Sequence, residues 1–282
     1  MNSRHISFHR SLTGGSSISW PETLVIAAKA GFETVDIELN EIPMGDYTIA
    51  KDMLDEQGIQ AGVAPLPVEF RADEGKFAED METFAKKVLL AESLGIRIMT
   101  RSLPASSEIP KKEFAVIVRR RLRRVTHLLE NHGIRLALEF MGPLHLRTAR
   151  PYAFIWRMDE TLEFAASVGS TVGLLVDSWH WHHSGGNKQD ILSAGALILN
   201  VQVSDAKELQ PQEVKDSERL LPGQGIVNFE EFFQGLRIVG YDGFITPEVF
   251  GYQSEFSNPI LSARNALNAT KDMLNKALLE NK

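Results

Sequence analysis

The sequence predicts a closed (β/α)8 TIM barrel, an α/β fold, on three observations. A chain of 282 residues with 43% hydrophobic content can bury one large core and lies near the about 250 residues usual for such a barrel. A helix-stop signal, a glycine followed by an apolar β-prone run, recurs at Gly31, Gly58, Gly95, Gly133, Gly169, Gly195 and Gly240, as expected where helices feed strands. No low-complexity linker interrupts this rhythm, so the expectation is a single domain over residues 1–282.

The runs after those glycines are residues 32–38, 59–65, 96–101, 134–140, 171–177, 196–205 and 241–249. With residues 6–9 they make about eight strands alternating with helices. Between the third and fourth runs, Phe77, Met81, Phe84, Val88 and Ala91 recur at helical spacing with charges between them, the pattern of a helix covering a sheet with one face. The helix after Pro110 carries Arg119, Arg120, Arg121, Arg123 and Arg124. Helical spacing spreads these around the outer ring, where acidic neighbours can pair with them, so a solvated or subunit-contact face is expected. The last helix opens at Asn258-Pro259, a cap residue and then proline at the first helical position. It carries Ile260, Ala263, Leu267, Leu274 and Leu278 on one stripe and would close the ring. Gly14-Gly15 follow the first strand without G-x-G-x-x-G spacing, which argues against an open dinucleotide-binding sheet.

Composition narrows the function. A formal net charge of −7 offers polyanions no sequence-wide attraction, so nucleic acid is not expected as a partner. Cysteine is absent, which removes disulfides and thiolate ligands and leaves Asp, Glu, His, Asn or Gln to hold any metal. No apolar run approaches the about 20 residues of a membrane span, and residues 1–10 are polar. A cytoplasmic protein with no membrane partner is the expectation.

In a barrel of this kind, polar residues at the C-terminal strand ends build the active site. Four consecutive strands deliver one each: Glu139, Asp177, Gln202 and Glu248. Taken singly, each reads as a helix cap or ion-pair partner. Three carboxylates buried side by side would cost several kcal/mol per ion without a cation, so as a set they point to one divalent metal. Their oxygen ligands suit Mn²⁺ first, with Mg²⁺, Co²⁺ or Zn²⁺ as alternatives.

The stretches Leu138-Glu139-Phe140, Val176-Asp177-Ser178-Trp179-His180, Val201-Gln202-Val203-Ser204-Asp205 and Pro247-Glu248-Val249 resemble the xylose isomerase-like barrels. That group spans sugar isomerases, epimerases and the AP endonuclease fold. The resemblance implies that Glu139, Asp177, Gln202 and Glu248 bind the metal, with Glu139 and Glu248 also acting as acid and base. Gln202 stands where the family usually has His, as in hydroxypyruvate isomerases and bacterial 3-dehydroshikimate dehydratases. The implied function is a metal-dependent isomerase or epimerase of a small sugar, sugar acid or related α-hydroxy ketone, through an enediolate. A dehydratase is the alternative, and a zinc-dependent AP endonuclease a more distant one, because Ser204-Asp205-Ala206-Lys207 lacks the Asp-x-His pair a multi-zinc cluster needs.

The resemblance also implies that His180 faces the substrate, with His182 and His183 in a loop. Arg219, ahead of Gly223-Gln224-Gly225, either reaches a substrate hydroxyl or carboxylate or forms a surface salt bridge. Arg101, Arg147 and Lys207 are further candidates for an anionic group, and charge alone does not choose among them. Glu69 and Arg71 are expected to pair with each other; His9 would point near the mouth if the first strand spans residues 6–8 and could contact substrate, but is expected to be solvated. Barrels of this group often form homodimers or homotetramers, and Trp20, Trp156 and the aromatics of 250–256 read either as contacts or, equally, as pocket walls or core.

Overall fold

The glycine signals become the turns of a ring of strands. The computed structural model describes residues 5–13, 18–43, 47–252 and 258–279, with side chains to Ala277. Gly14-Gly15, residues 253–256 and the Leu278 side chain lie outside that set. Gly31, Gly58, Gly95, Gly133, Gly195 and Gly240 all take positive φ, the left-handed region glycine enters without a Cβ clash. Gly169 does not: its φ of 178° is extended backbone, so this helix ends without a left-handed cap.

The strands are β1 (Ser7–Phe8), β2 (Thr34–Val35), β3 (Gln60–Ala61), β4 (Ala64–Pro65), β5 (Ile98–Ser102), β6 (Ser106–Ser107), β7 (Arg135–Glu139), β8 (Tyr152–Ala153), β9 (Val172–Asp177), β10 (Ile198–Val203) and β11 (Ile245–Pro247). The helices are α1 (Trp20–Ala30), α2 (Tyr47–Gln57), α3 (Glu74–Ser93), α4 (Lys111–Glu130), α5 (Leu144–Arg147), α6 (Met158–Val168), α7 (Ser178–His183), α8 (Lys188–Ala194), α9 (Phe229–Ile238) and α10 (Pro259–Leu279).

Two parallel sheets, β1-β2-β3 and β11-β10-β9-β7-β5-β4, form the barrel. β3 and β4 are halves of one interrupted stave, and a parallel bridge between Ile6 and Ile245 closes the circle. The interruption falls at Gly62, where an added Cβ would stand 2.6 Å from Ser7 Oγ and 2.9 Å from Asp36 Oδ1. Only a residue without a side chain lets the three staves approach so closely. β6 and β8 form a separate antiparallel pair.

Strand parity sorts the side chains into two layers. Ala137, Leu175 and Leu199, with Ile98 beside them, form a small cluster distinct from the main core. In the main core Phe77, Phe84, Val88 and Ala91 of α3 are buried and Met81 is partly so. Phe77, Phe84 and Val88 each contribute about 1.5–3 kcal/mol when fully buried. Asn258 caps α10 through its side-chain oxygen, which accepts from the Ile260 and Leu261 backbone amides. Ala263, Leu267 and Leu274 are buried along that helix, with Ile260 partly so.

Two expectations change. Trp20 is buried at 5% exposure and offers no subunit contact, because the chain turns it inward at the first position of α1. Arg121 is likewise buried: its guanidinium donates to the Phe70 and Ala72 carbonyls, pairs with Glu74 and lies over the Phe77 ring. Its neighbours Arg120 and Arg124 pair with the same Glu74 from the solvent side, as expected of a charged outer face. Among the described residues no helix is long and apolar enough to cross a membrane.

Candidate metal and catalytic centre

Register brings the four strand-end residues to one end of the barrel. Gln202 pairs with Asp177 on one side and Thr246 on the other, and Glu248 follows β11, its amide donating to the Val203 carbonyl. Glu139 ends β7, two staves away from β10. All four are at most 9% exposed.

Asp177 is oriented from two directions. Its Oδ1 accepts from the Trp179 amide at 2.9 Å, capping α7, which suits a carboxylate at a helix N-terminus. Its Oδ2 accepts from Arg219 Nη1 at 2.7 Å. Arg219 is thus a buried hub, not the surface salt bridge that its polar flanks suggest: Nη1 also meets Glu248 Oε2 at 3.1 Å, and Nε meets Asp216 at 2.7 Å. Its guanidinium lies between Trp179 and Phe250. Burial would pull the Arg219 group down, but Asp177, Asp216 and Glu248 together hold it above its ordinary value.

His180 projects from α7 with Nε2 3.7 Å from Glu139 Oε1 and 3.9 Å from Asp177 Oδ2. Burial first, then the Arg219 charge, push its imidazole well below the ordinary range, so it is neutral. His182 and His183 belong to the same helix and not to a loop, because Asp177 supplies the cap that starts it. His9 is also not solvated. Its Nδ1 accepts from the Ser11 amide, which leaves Nε2, 3.5 Å from Glu248 Oε1, to carry the proton. Burial lowers this imidazole to about 4.

Asp205 was not expected to matter, yet it builds the loop that delivers Arg219. Its carboxylate accepts from the backbone amides of Ala206, Gly223, Gly225 and Val227, all at 2.8–2.9 Å. The readable signal was an acid at a strand end followed by a Gly-x-Gly turn. Asp205→Ala would strand several buried amides at about 1–3 kcal/mol each. We expect it to lower stability in urea titration by about 3 kcal/mol, with Asp205→Asn recovering part of the loss.

Of the remaining substrate candidates, Arg101 and Lys207 pair with acids outside the four-residue set. Arg101 donates to Glu69 Oε2 at 2.6 Å, and Arg71 pairs with the same carboxylate as expected. Burial would raise Glu69, but the two guanidiniums outweigh it and hold the carboxyl at about 2. Arg101 is therefore committed to an ion-pair cluster. Lys207 is exposed and pairs with Glu218.

Does this chain's donor set fit a divalent metal? Glu139 Oε1 and Gln202 Oε1 are buried without a hydrogen-bond partner, a costly state unless something else binds them. Gln202 Nε2 donates to Glu248 Oε1 at 3.1 Å, which directs the amide oxygen elsewhere. Ligand atoms of Glu139, Asp177 and His180 lie within 4.8 Å of one another, so His180, expected to face the substrate, joins the carboxylates expected to hold the metal. Three buried carboxylates against one buried guanidinium leave two negative charges, the complement of a divalent cation. Without one, burial and the neighbouring Glu248 and Asp177 charges push Glu139 well above the carboxylate range, and burial raises Asp177 to about 6. The residues fit the metal.

Known proteins share this framework. An inosose isomerase of Bacillus velezensis is 23% identical over 240 residues, covering 81% of this chain and 82% of the relative. An L-ribulose 3-epimerase of a Methylomonas species is 23% identical, with 94% of each chain covered. A xylose isomerase domain protein from Alicyclobacillus acidocaldarius superposes with a TM-score of 0.88 at 25% identity, over 97% of this chain and 99% of its own. The IOLI protein, solved with a binding zinc atom, superposes at 0.82 with 21% identity, over 97% and 99% of the two chains. The description of the family whose profile matches residues 24–274 agrees with the closed ring and its strand-end acids, and the chain belongs to the xylose isomerase-like TIM barrel family.

Proposed function

We propose that this single barrel domain is a divalent-metal-dependent isomerase or epimerase of a small sugar, sugar acid or related α-hydroxy ketone, working through an enediolate. The observation that carries the reading is Glu139. It is walled in at a strand end, has one oxygen without a partner, and has a carboxyl raised by burial and like charge, the setting of a tuned acid or base. Glu139, Asp177, Gln202 and Glu248 would hold the metal, with Mn²⁺ favoured. The solved zinc-containing relative supports a metal of this charge. When bound, the ion would polarise the substrate's carbonyl and lower the cost of the enediolate.

The chain's own residues then divide the work. Glu139 and Glu248 stand on staves that are not neighbours, so one removes the carbon-bound proton and the other returns it from the opposite side. Gln202 fixes the Glu248 carboxylate through its amide donor. Neutral His180 hydrogen-bonds a substrate hydroxyl, and Arg219 holds Asp177 and Glu248 in place. Gln202 in place of the family's usual His favours a second reading, in which the same enediolate expels a β-hydroxyl.

The relatives' names nominate inososes and ketopentoses as first substrates. In D₂O with Mn²⁺, NMR should find deuterium at the carbon beside the carbonyl together with a new isomer, both lost on chelation. Loss of water with new ultraviolet absorbance would select the dehydratase. If no candidate exchanges a proton under any of the four metals, the proposal fails.

A further inference from the structure

Around the barrel mouth most cations already have an acid. Arg101 has Glu69, Lys207 has Glu218, Arg157 has Asp159, and Arg219 has three carboxylates. Arg147 differs. Among the described residues no carboxylate lies within ion-pair distance of it, and its Nε is buried without a hydrogen-bond partner. Its guanidinium carbon lies over the Trp156 ring, 4.0 Å from the centroid, a contact with the π face that does not use up the N–H donors. Burial pulls this guanidinium below its ordinary value with no acid to oppose the shift. On the same short helix, α5, His145 Nδ1 is also buried and unpartnered.

The position of α5 ties this pair to the centre. At Gly142 an added Cβ would stand 2.3 Å from the His180 carbonyl oxygen, so the segment that runs from Glu139 into α5 lies directly on α7. On that helix the His183 ring packs 4.5 Å from Trp179. An unpartnered guanidinium over an indole and an unpartnered imidazole nitrogen thus lie on the segment next to the helix that carries His180.

We infer that Arg147, braced by Trp156 and with the unpartnered His145 nitrogen on the same short helix, forms an anion subsite that takes a carboxylate or phosphate group on the substrate. The inference rests on the proposed ketose chemistry only for what the anion is attached to. The planar N–H edge of the guanidinium matches either oxyanion through charge-assisted hydrogen bonds.

The test titrates the full chain, as purified and after metal removal, with inorganic phosphate and with glycolate, following tryptophan fluorescence and heat. The better of the two anions names the substituent. Saturable binding should survive metal removal, weaken about tenfold or more in Arg147→Met, and stay unchanged in Arg150→Met, whose arginine is exposed and paired with Glu108. Equal binding in Arg147→Met and wild type, equal losses in both variants, no saturable binding, or binding lost with the metal would each overturn the subsite. Failure of the ketose reading looks different: no substrate exchanges a proton, while the anion still binds through Arg147.

Discussion

Glu139→Gln is expected to lower turnover of a ketose substrate by about 10²–10⁴-fold while making the metal-free protein more stable. The two signs come from one cause. In the metal-free protein Glu139 is buried with the Glu248 and Asp177 charges acting on it, and its carboxyl is raised well above normal. A neutral isostere removes that repulsion along with the proton acceptor. Glu248→Gln should match the catalytic loss, but it also weakens the bond to Arg219 and so should not stabilise. Rates under saturating Mn²⁺ and thermal melts after chelation read the two effects separately. Wild-type turnover in both variants would refute the acid and base assignment.

Arg219→Met should produce the largest loss of stability, about 3–5 kcal/mol in the metal-free protein. The guanidinium is buried between Asp177, Glu248 and Asp216, so its removal leaves carboxylates without a counter-charge in a dry site. Metal should narrow the difference, because a divalent ion takes over part of that neutralisation. Arg219→Lys restores charge but not the fork that reaches three acids and lies between two rings, and only partial recovery is expected. Urea titrations with and without Mn²⁺ give the comparison. A metal-independent loss under 1 kcal/mol would mean that the hub contributes little.

Much of the architecture was readable because helix ends and strand starts are local. A glycine stop needs only its own backbone, and six of the seven behave as the pattern requires. The four metal candidates were readable for a similar reason: each ends an apolar strand, and strand ends share one rim. What escaped depends on distant partners. Arg219 sits in the polar stretch Lys215-Asp216-Ser217-Glu218, which looks like a solvated surface, and only folding places it against Asp177 and Glu248. His9 was misread although parity along β1 held the answer, since buried Ser7 hydrogen-bonds Asp36 on the neighbouring stave and the residue two places on faces the same way. Arg101 looked free because its partner Glu69 lies on a neighbouring loop, beyond any helical or strand spacing.

The seam of the barrel has a consequence of its own. Between the first and last staves the only backbone link among the described residues is the bridge from Ile6 to Ile245, whereas β7, β9 and β10 are joined by long ladders. Cohesion at that joint passes to side chains, chiefly α10 packed on α1 and on the turn at residues 10–13. Glu248 and His9 flank this joint, so half of the proposed proton relay is mounted where the wall is thinnest. Small sliding between the two ends of the ring would change the spacing of Glu248 and His9, whereas Glu139, Asp177, Gln202 and Glu248 all ride on the one six-stranded sheet and would keep theirs, giving natural variation a place to adjust the His9 side of the pocket alone.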